Sequence, residues 1–192
     1  MLKNHSDLIY AHSLAVGVYA SLIARQLGWR SQSTLFKISM AGLFHDIGKK
    51  EIPKTILEKA RMDMTQEEVK IYESHTVRGK EILSQVPGIP EEVVFAAAQH
   101  HESMAGCGFP FQIPRFRIQP ISRLICIANE FCNLVLKSPN KEDVSTAHEA
   151  LLKIYTYKKE DVELSFLKAL MEIFNYPVPA DLLKLSKSKD VA

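Results

Sequence analysis

A chain of 192 residues with 46% apolar and 24% charged side chains has the make-up of one globular domain, which excludes collagen-like, coiled-coil and disordered classes. Its 24 Lys+Arg against 22 Asp+Glu leave a net charge of +2, too little over such a surface to point to DNA or anionic lipid as a partner. Three cysteines, Cys107, Cys126 and Cys132, form no CxxC pair and leave one over, which fits a reducing compartment better than a disulfide framework.

The N-terminus carries His5 and Asp7 where a signal peptide needs an apolar run. No stretch is expected to reach the roughly 18 apolar residues of a membrane span, so the expected location is cytoplasmic, with no membrane contact. The periodicity is helical nearly throughout. Over 5–27, Leu8, Ile9, Ala15, Val16, Tyr19, Leu22, Ile23 and Leu27 recur three and four apart, and Gly28 ends the segment. A second helix is predicted over 33–45. Leu35, Phe36, Ile38, Met40, Ala41, Leu43 and Phe44 make it apolar on most sides, so it is expected at the centre of the fold; Gly48 and Pro53 close it.

Thr65-Gln66-Glu67-Glu68 is a capping box that opens a third helix over 65–85. After the turn Pro87-Gly88-Ile89-Pro90, a fourth helix leads through Val93, Val94 and three alanines to His100-His101. Residues 103–119 hold Gly106, Gly108, Pro110 and Pro114 and read as a long ordered loop, which inside a compact domain is usually functional. A fifth helix is predicted over 120–137, broken by Ser138-Pro139-Asn140, and two more over 143–155 and 160–174, before a polar tail. No strand or repeat is evident. The expected fold is all-α, a single-domain helical bundle of about seven helices.

Seven histidines are not many; their company is the signal. His45-Asp46 falls where one apolar helix ends and His100-His101 where another does, with His12 and His75 on further helices. Imidazole with carboxylate suits Zn, Fe, Mn or Ni, whereas thiolates would suggest structural zinc. Helical neighbours point about 100° apart, but in a last turn His45 and Asp46 can converge on two ions with the carboxylate bridging. Two ions about 3.5–4 Å apart can hold a water as hydroxide and clamp a phosphoryl group in line. Each fragment alone has an ordinary reading: a chance His-Asp dipeptide, a surface His75, a core His12. In this order, beside a Gly/Pro loop, they read together as a multi-histidine metal site. His5 and His148 have no such context and read as surface residues.

His12, His45-Asp46-Ile47-Gly48-Lys49, His75 and His100-His101-Glu102, followed by Gly106-Cys107-Gly108-Phe109-Pro110, resemble the HD-GYP branch of the HD-domain metal-dependent phosphohydrolases. The likeness covers roughly residues 5–141, leaving 142–192 as C-terminal helices and tail. It implies a helical bundle, a binuclear centre of two divalent ions, most often iron or manganese, and hydrolysis of cyclic di-GMP with a metal-bridging hydroxide as nucleophile. By the same resemblance the metal ligands are His12, His45, Asp46, His75, His100, His101 and Asn129. Asp46 and Lys49 carry the catalytic roles, Asp46 as the bridge and Lys49 facing the substrate phosphate. Gly108, Phe109 and Pro110 shape the pocket wall and Lys141 keeps a basic group, while Arg115, in the long loop, is read from its position as a further basic substrate contact.

The chain departs from the family pattern at several positions. Phe109 replaces the motif's tyrosine and offers no hydroxyl, and Ala105 replaces an acidic residue. Asn129 and Cys132 replace the two aspartates of the fifth-helix stretch, and Glu130 is a neighbouring substitute about 100° round the helix. Ser138 and Asn140 replace an arginine and a tyrosine. Leu8 stands where some members carry a further glutamate ligand, so two ions are expected rather than three. Arg117 is a second candidate phosphate contact, and Arg123 is expected to pair with a carboxylate. The first functional expectation is a metal-dependent cyclic-dinucleotide phosphodiesterase. The alternative is a catalytically weak or inactive module that keeps the metal centre and binds a nucleotide or a protein partner such as a GGDEF domain.

Overall fold

The computed structural model describes residues 5–137 and 143–185. Within them the chain is helical and without strands: α1 (His5–Gln26), α2 (Gln32–Phe44), α3 (Lys54–Leu57), α4 (Gln66–Glu73), α5 (His75–Ser84), α6 (Glu91–Gln99), α7 (Pro120–Val135), α8 (Ala147–Lys158), α9 (Leu164–Ile173) and α10 (Ala180–Leu183), with short 3-10 turns at Ile47–Glu51, Arg61–Asp63 and Arg115–Arg117.

Local chemistry explains the boundaries. Gly28 takes φ +91°; its amide donates to Arg25 O and the Trp29 amide to Ala24 O, a Schellman stop for α1. The capping box of Thr65 with Glu68 is formed, and a second one, Thr146 with Glu149, opens α8. The third expected helix is two, α4 and α5, broken at Ser74. Three successive side chains, Ser74 Oγ, His75 Nδ1 and Thr76 Oγ1, donate to the carbonyls of Ile71, Tyr72 and Glu73. Side-chain donors of this kind compete with the helical ladder.

α7, not α2, is the central helix. Ten of its residues are buried, from Ile121 to Cys132, and it packs against α1, α2, α6, α8 and α9. α2 buries only Ile38, Ala41 and Gly42 and leaves Phe36 63% exposed, because one side of it lies on α1, α6 and α7 and the rest meets solvent. α1 and α2 touch through Gly17 and Gly42: a Cβ on Gly42 would lie 2.3 Å from Gly17 Cα, so only glycine permits this approach. Phe131, fully buried, meets Tyr19 edge-on at 5.0 Å and Phe174 at 5.1 Å, which ties α7 to α1 and to the end of α9.

The expectation of no span-length apolar stretch needs correction. Leu8–Gln26 is long and apolar enough, by length and composition, to cross a membrane. The stretch was missed because uncharged polar residues such as His12, Ser13 and Ser21 interrupt the apolar run without lowering its mean much. About a third of the span, 33%, is buried, where the helix packs against α2, α7 and α9.

Candidate metal centre

Five helices deliver the side chains. His45 is the C-cap of α2, and Asp46 follows with φ −101° and ψ 10°. Leaving the helix lets two sequence neighbours face one point: His45 Nε2 lies 3.2 Å from Asp46 Oδ2. His75 starts α5 immediately after the Ser74 break. α6 ends at Gln99, so His100 and His101 sit in a turn with ring centroids 4.2 Å apart. His12 comes from α1 and Asn129 from α7, and His12 Nε2 donates to Asn129 Oδ1 at 2.9 Å.

Glycines hold the frame. A Cβ on Gly48 would lie 2.0 Å from the His75 carbonyl oxygen and 2.6 Å from the Gly79 amide, so the turn after Asp46 rests directly on α5. A Cβ on Gly108 would lie 2.4 Å from His101 O and from Ser103 N. The loop therefore folds back on the α6 terminus, and Phe109 stacks on His101 at 4.4 Å and 18°. Glu102, 2% exposed, fixes the loop by accepting from the Phe111 and Ile113 amides at 2.7 and 3.2 Å. The sequence singled out Glu102 as part of a motif but not for this clamp.

Two ligand groups share one residue. Asp46, His75, His100 and His101 form one, and His12, His45 and Asp46 the other, with the ligand atoms of each within 4.8 Å of one another. The tautomers fit a cation. His45 Nδ1 donates to Gly42 O at 2.7 Å, His75 Nδ1 to Tyr72 O at 2.6 Å, and His100 Nδ1 to Ala96 O and Ala97 O at 3.1 and 3.0 Å. Backbone acceptors on Nδ1 leave Nε2 as the bare lone pair, the arrangement that orients metal-ligating imidazoles. Those lone pairs then face each other and the carboxylate: His75 Nε2 is 3.4 Å from His100 Nε2 and 3.4 Å from Asp46 Oδ1. His45 Nε2, Asp46 Oδ1 and His101 Nε2 are buried without a hydrogen bond. Buried acceptors that converge without a donor are what a cation satisfies.

The electrostatics agree. Burial, with neighbouring positive charge, lowers His12 to about 4 and His75 to about 3, and pushes His100 and His101 down as well, so these imidazoles are neutral at pH 7. Burial opposes ionisation of Asp46, but Lys49 and His45 outweigh it and hold the carboxyl well below its usual range. Lys49 Nζ sits 2.6 Å from Asp46 Oδ2 and 5.7 Å from the Tyr72 ring centroid. Burial disfavours the Lys49 ammonium, yet Asp46 and Tyr72 raise its pKa overall.

A cleft of about 360 Å³ adjoins the centre, lined on one side by Arg61, Tyr72, His101, Gly108 and Phe109. The Arg61 guanidinium lies 5.4 Å from the Phe109 ring centroid and 5.9 Å from that of Tyr72. Neither Arg61 nor Tyr72 carried a sequence signal, since both precede the histidines they flank without a motif of their own. Glu130 faces the same cleft and is absent from both ligand groups. Cys132 is buried, its thiol pushed up to about 12. Arg115 is turned to Glu163, with its Nη2 2.9 Å from both carboxylate oxygens, and is not among the cleft-lining residues. Arg123 pairs with the same carboxylate at 3.4 Å. Pro110 follows a cis peptide bond. Lys141, with Ser138 and Asn140, lies outside the described residues.

Helix ends meeting around an aspartate shared by two imidazole groups define a metal-binding all-α domain. Residues 1–164 match the HD domain family, and the chain belongs to it; its motif order is that of the HD-GYP branch, with Phe109 in place of the tyrosine. The chain is 33% identical over 200 residues to a cyclic di-GMP phosphodiesterase of Thermotoga maritima, covering 100% of this chain and 51% of that protein. It is 27% identical over 188 residues to a cyclic di-GMP phosphodiesterase of Pseudomonas aeruginosa, covering 98% and 44%. The chain thus spans about half the length of these relatives. Among solved structures, an HDG"Y"P protein from Bdellovibrio bacteriovorus superposes with a TM-score of 0.74 at 20% identity, over 87% of this chain and 52% of that one, a likeness of fold.

Proposed function

We propose that this domain is a metal-dependent phosphodiesterase that hydrolyses a cyclic dinucleotide, with cyclic di-GMP the first candidate. The observation that carries the reading is Asp46, the one residue common to both ligand groups, with an oxygen buried and unbonded. His45, Asp46, His75, His100 and His101 would hold the ions, with His12 and Asn129 completing the second position. A bound pair of divalent ions, iron or manganese for this donor set, supplies water activation at neutral pH and a clamp on the phosphoryl group. The chain's own residues do the rest. Neutral imidazoles with Nδ1 anchored to backbone keep their Nε2 atoms aimed at one point. Lys49 keeps its charge beside the bridge and can meet the charge that grows on phosphoryl oxygens. Phe109, stacked on His101, fixes the orientation of that imidazole. The Thermotoga and Pseudomonas relatives, named for cyclic di-GMP hydrolysis, support the substrate class.

The test is metal analysis of the purified chain together with turnover of cyclic di-GMP by iron- or manganese-loaded protein. Two ions per chain and linear product are expected; a loaded protein that turns over no cyclic dinucleotide overturns the reading. Asn129 favours a second reading. A neutral amide oxygen stands where the family places a carboxylate, and it already accepts from His12 and Asn133. A domain with a weakened second ion would bind nucleotide, or a GGDEF-type protein, without releasing product, and the same assay separates the two.

A further inference from the structure

We propose that the cleft beside the metal centre is a guanine-reading subsite, in which the Glu130 carboxylate accepts the N–H groups of the base's Watson–Crick edge. The inference rests on the cyclic-dinucleotide reading for its ligand, and on Glu130 for its selectivity.

Glu130 follows Asn129 on α7, and one residue turns a helix by about 100°. Asn129 therefore meets His12 while Glu130 faces the cleft. Glu130 is half-buried, and its carboxylate makes no hydrogen bond with a described residue, although Lys158 and Asp161, which line the same cleft, lie within electrostatic reach of it. Its neighbour Asp161 differs: it accepts from Ser103 Oγ at 2.5 Å and lies 3.8 Å from Lys158 Nζ, so it is committed to holding the loop. A carboxylate that faces a cavity, with no hydrogen bond to a described residue, is free to accept N–H groups from a ligand.

The donor can be specified. Guanine presents N1–H and the N2 amino group side by side, a pair that matches two carboxylate oxygens. Adenine presents a bare N1 at the same edge, which a carboxylate repels. The cleft also offers a planar cation. His101 and Arg61 both lie against Phe109, so the plane left open is that of the half-exposed Arg61 guanidinium, paired with Glu73, on which a splayed-out base can stack. His101 lines the cleft too, so a base held there belongs to a ligand whose phosphate can reach the metal centre. The volume, about 360 Å³, lies within the range of small-molecule sites.

The test is calorimetric titration of metal-loaded wild-type protein and Glu130→Gln with GMP and with AMP. Wild type is expected to prefer GMP by about tenfold or more. Glu130→Gln should weaken GMP by about five- to a hundredfold, the range of one bidentate base contact, and close the gap to AMP. Equal GMP and AMP affinity in the wild type, or GMP affinity unmoved by Glu130→Gln, overturns the subsite. In parallel, the ratio of kcat/KM for cyclic di-GMP over cyclic di-AMP should fall in Glu130→Gln by a similar factor, carried by KM. If no cyclic dinucleotide is turned over yet Glu130-dependent GMP selectivity persists, the phosphodiesterase reading fails and the subsite stands. If turnover is robust and the ratio does not move, the subsite fails alone. Should Glu130→Gln misfold, the wild-type preference still decides.

Discussion

One half of the metal centre gathers three imidazoles and the Asp46 carboxylate within 4.8 Å, while the other offers His12, His45 and the same carboxylate, finished by the neutral amide of Asn129. In the first half, His75 and His100 commit Nδ1 to backbone carbonyls and leave Nε2 bare. In the second, His12 spends its Nε2–H on Asn129 Oδ1, so that nitrogen must give up its proton before it can ligate. The contrast shows that geometry can be nearly symmetrical while charge and proton placement are not. One ion should therefore bind tightly and the other more weakly.

The largest effect is expected from the residue the halves share. Asp46→Ala should abolish binding of both ions, lowering affinity by more than the roughly 10–100-fold typical of losing an outer-shell partner; metal analysis that finds either ion retained in full would break the bridge. Next come the single-half variants. His75→Ala should lose the tight ion, whereas His12→Ala should keep one ion per chain, and equal losses would erase the distinction between halves.

Acid should expose the same buried imidazoles. His12 and His75 are held at about 4 and about 3 in the folded chain, below the usual 6.5. The unfolded chain therefore takes up protons first as pH falls. Metal-free protein should be fully stable above about pH 6.5 and lose about 1.4 kcal/mol per pH unit for each such histidine as pH drops toward 4, and on toward 3 for His75. Urea unfolding across that range checks the slope, and a flat profile would mean the rings are not buried as neutral groups. The smallest change is a gain: Asn129→Asp should tighten the weaker ion by about tenfold, the worth of one charge-assisted contact. No change in its affinity would place residue 129 outside the second ion's reach.

Much of this was legible in the sequence, and the exceptions share a cause. The 3.6-residue periodicity marked α1 because it buries one stripe, whereas α6 and α7 bury consecutive residues and were legible as apolar runs between turn signals. The histidines and Asp46 were legible because ligand chemistry restricts residue type. The break at Ser74 was not, since three polar side chains competing with a helical ladder look like an ordinary solvated turn of helix. α2 was misplaced to the centre because apolar content says how much a helix could bury, not how many neighbours it has. Glu130, Arg61 and Tyr72 meet around one cleft from α7, a 3-10 turn and α4, and no local spacing encodes that meeting. Arg115 looked available in a loop, but Glu163, 48 residues away, takes its guanidinium.

The contact of Gly48 with the His75 carbonyl has no side chain in it. The gauge between the Asp46 and His75 donors is thus cut into the main chain itself, like the fixed jaw of a caliper. A protein engineer who wanted another ion could exchange the donors, as Asn129 illustrates, but could not reset that spacing by substitution. Any residue larger than glycine at position 48 would pry the turn off α5 and move two ligands at once.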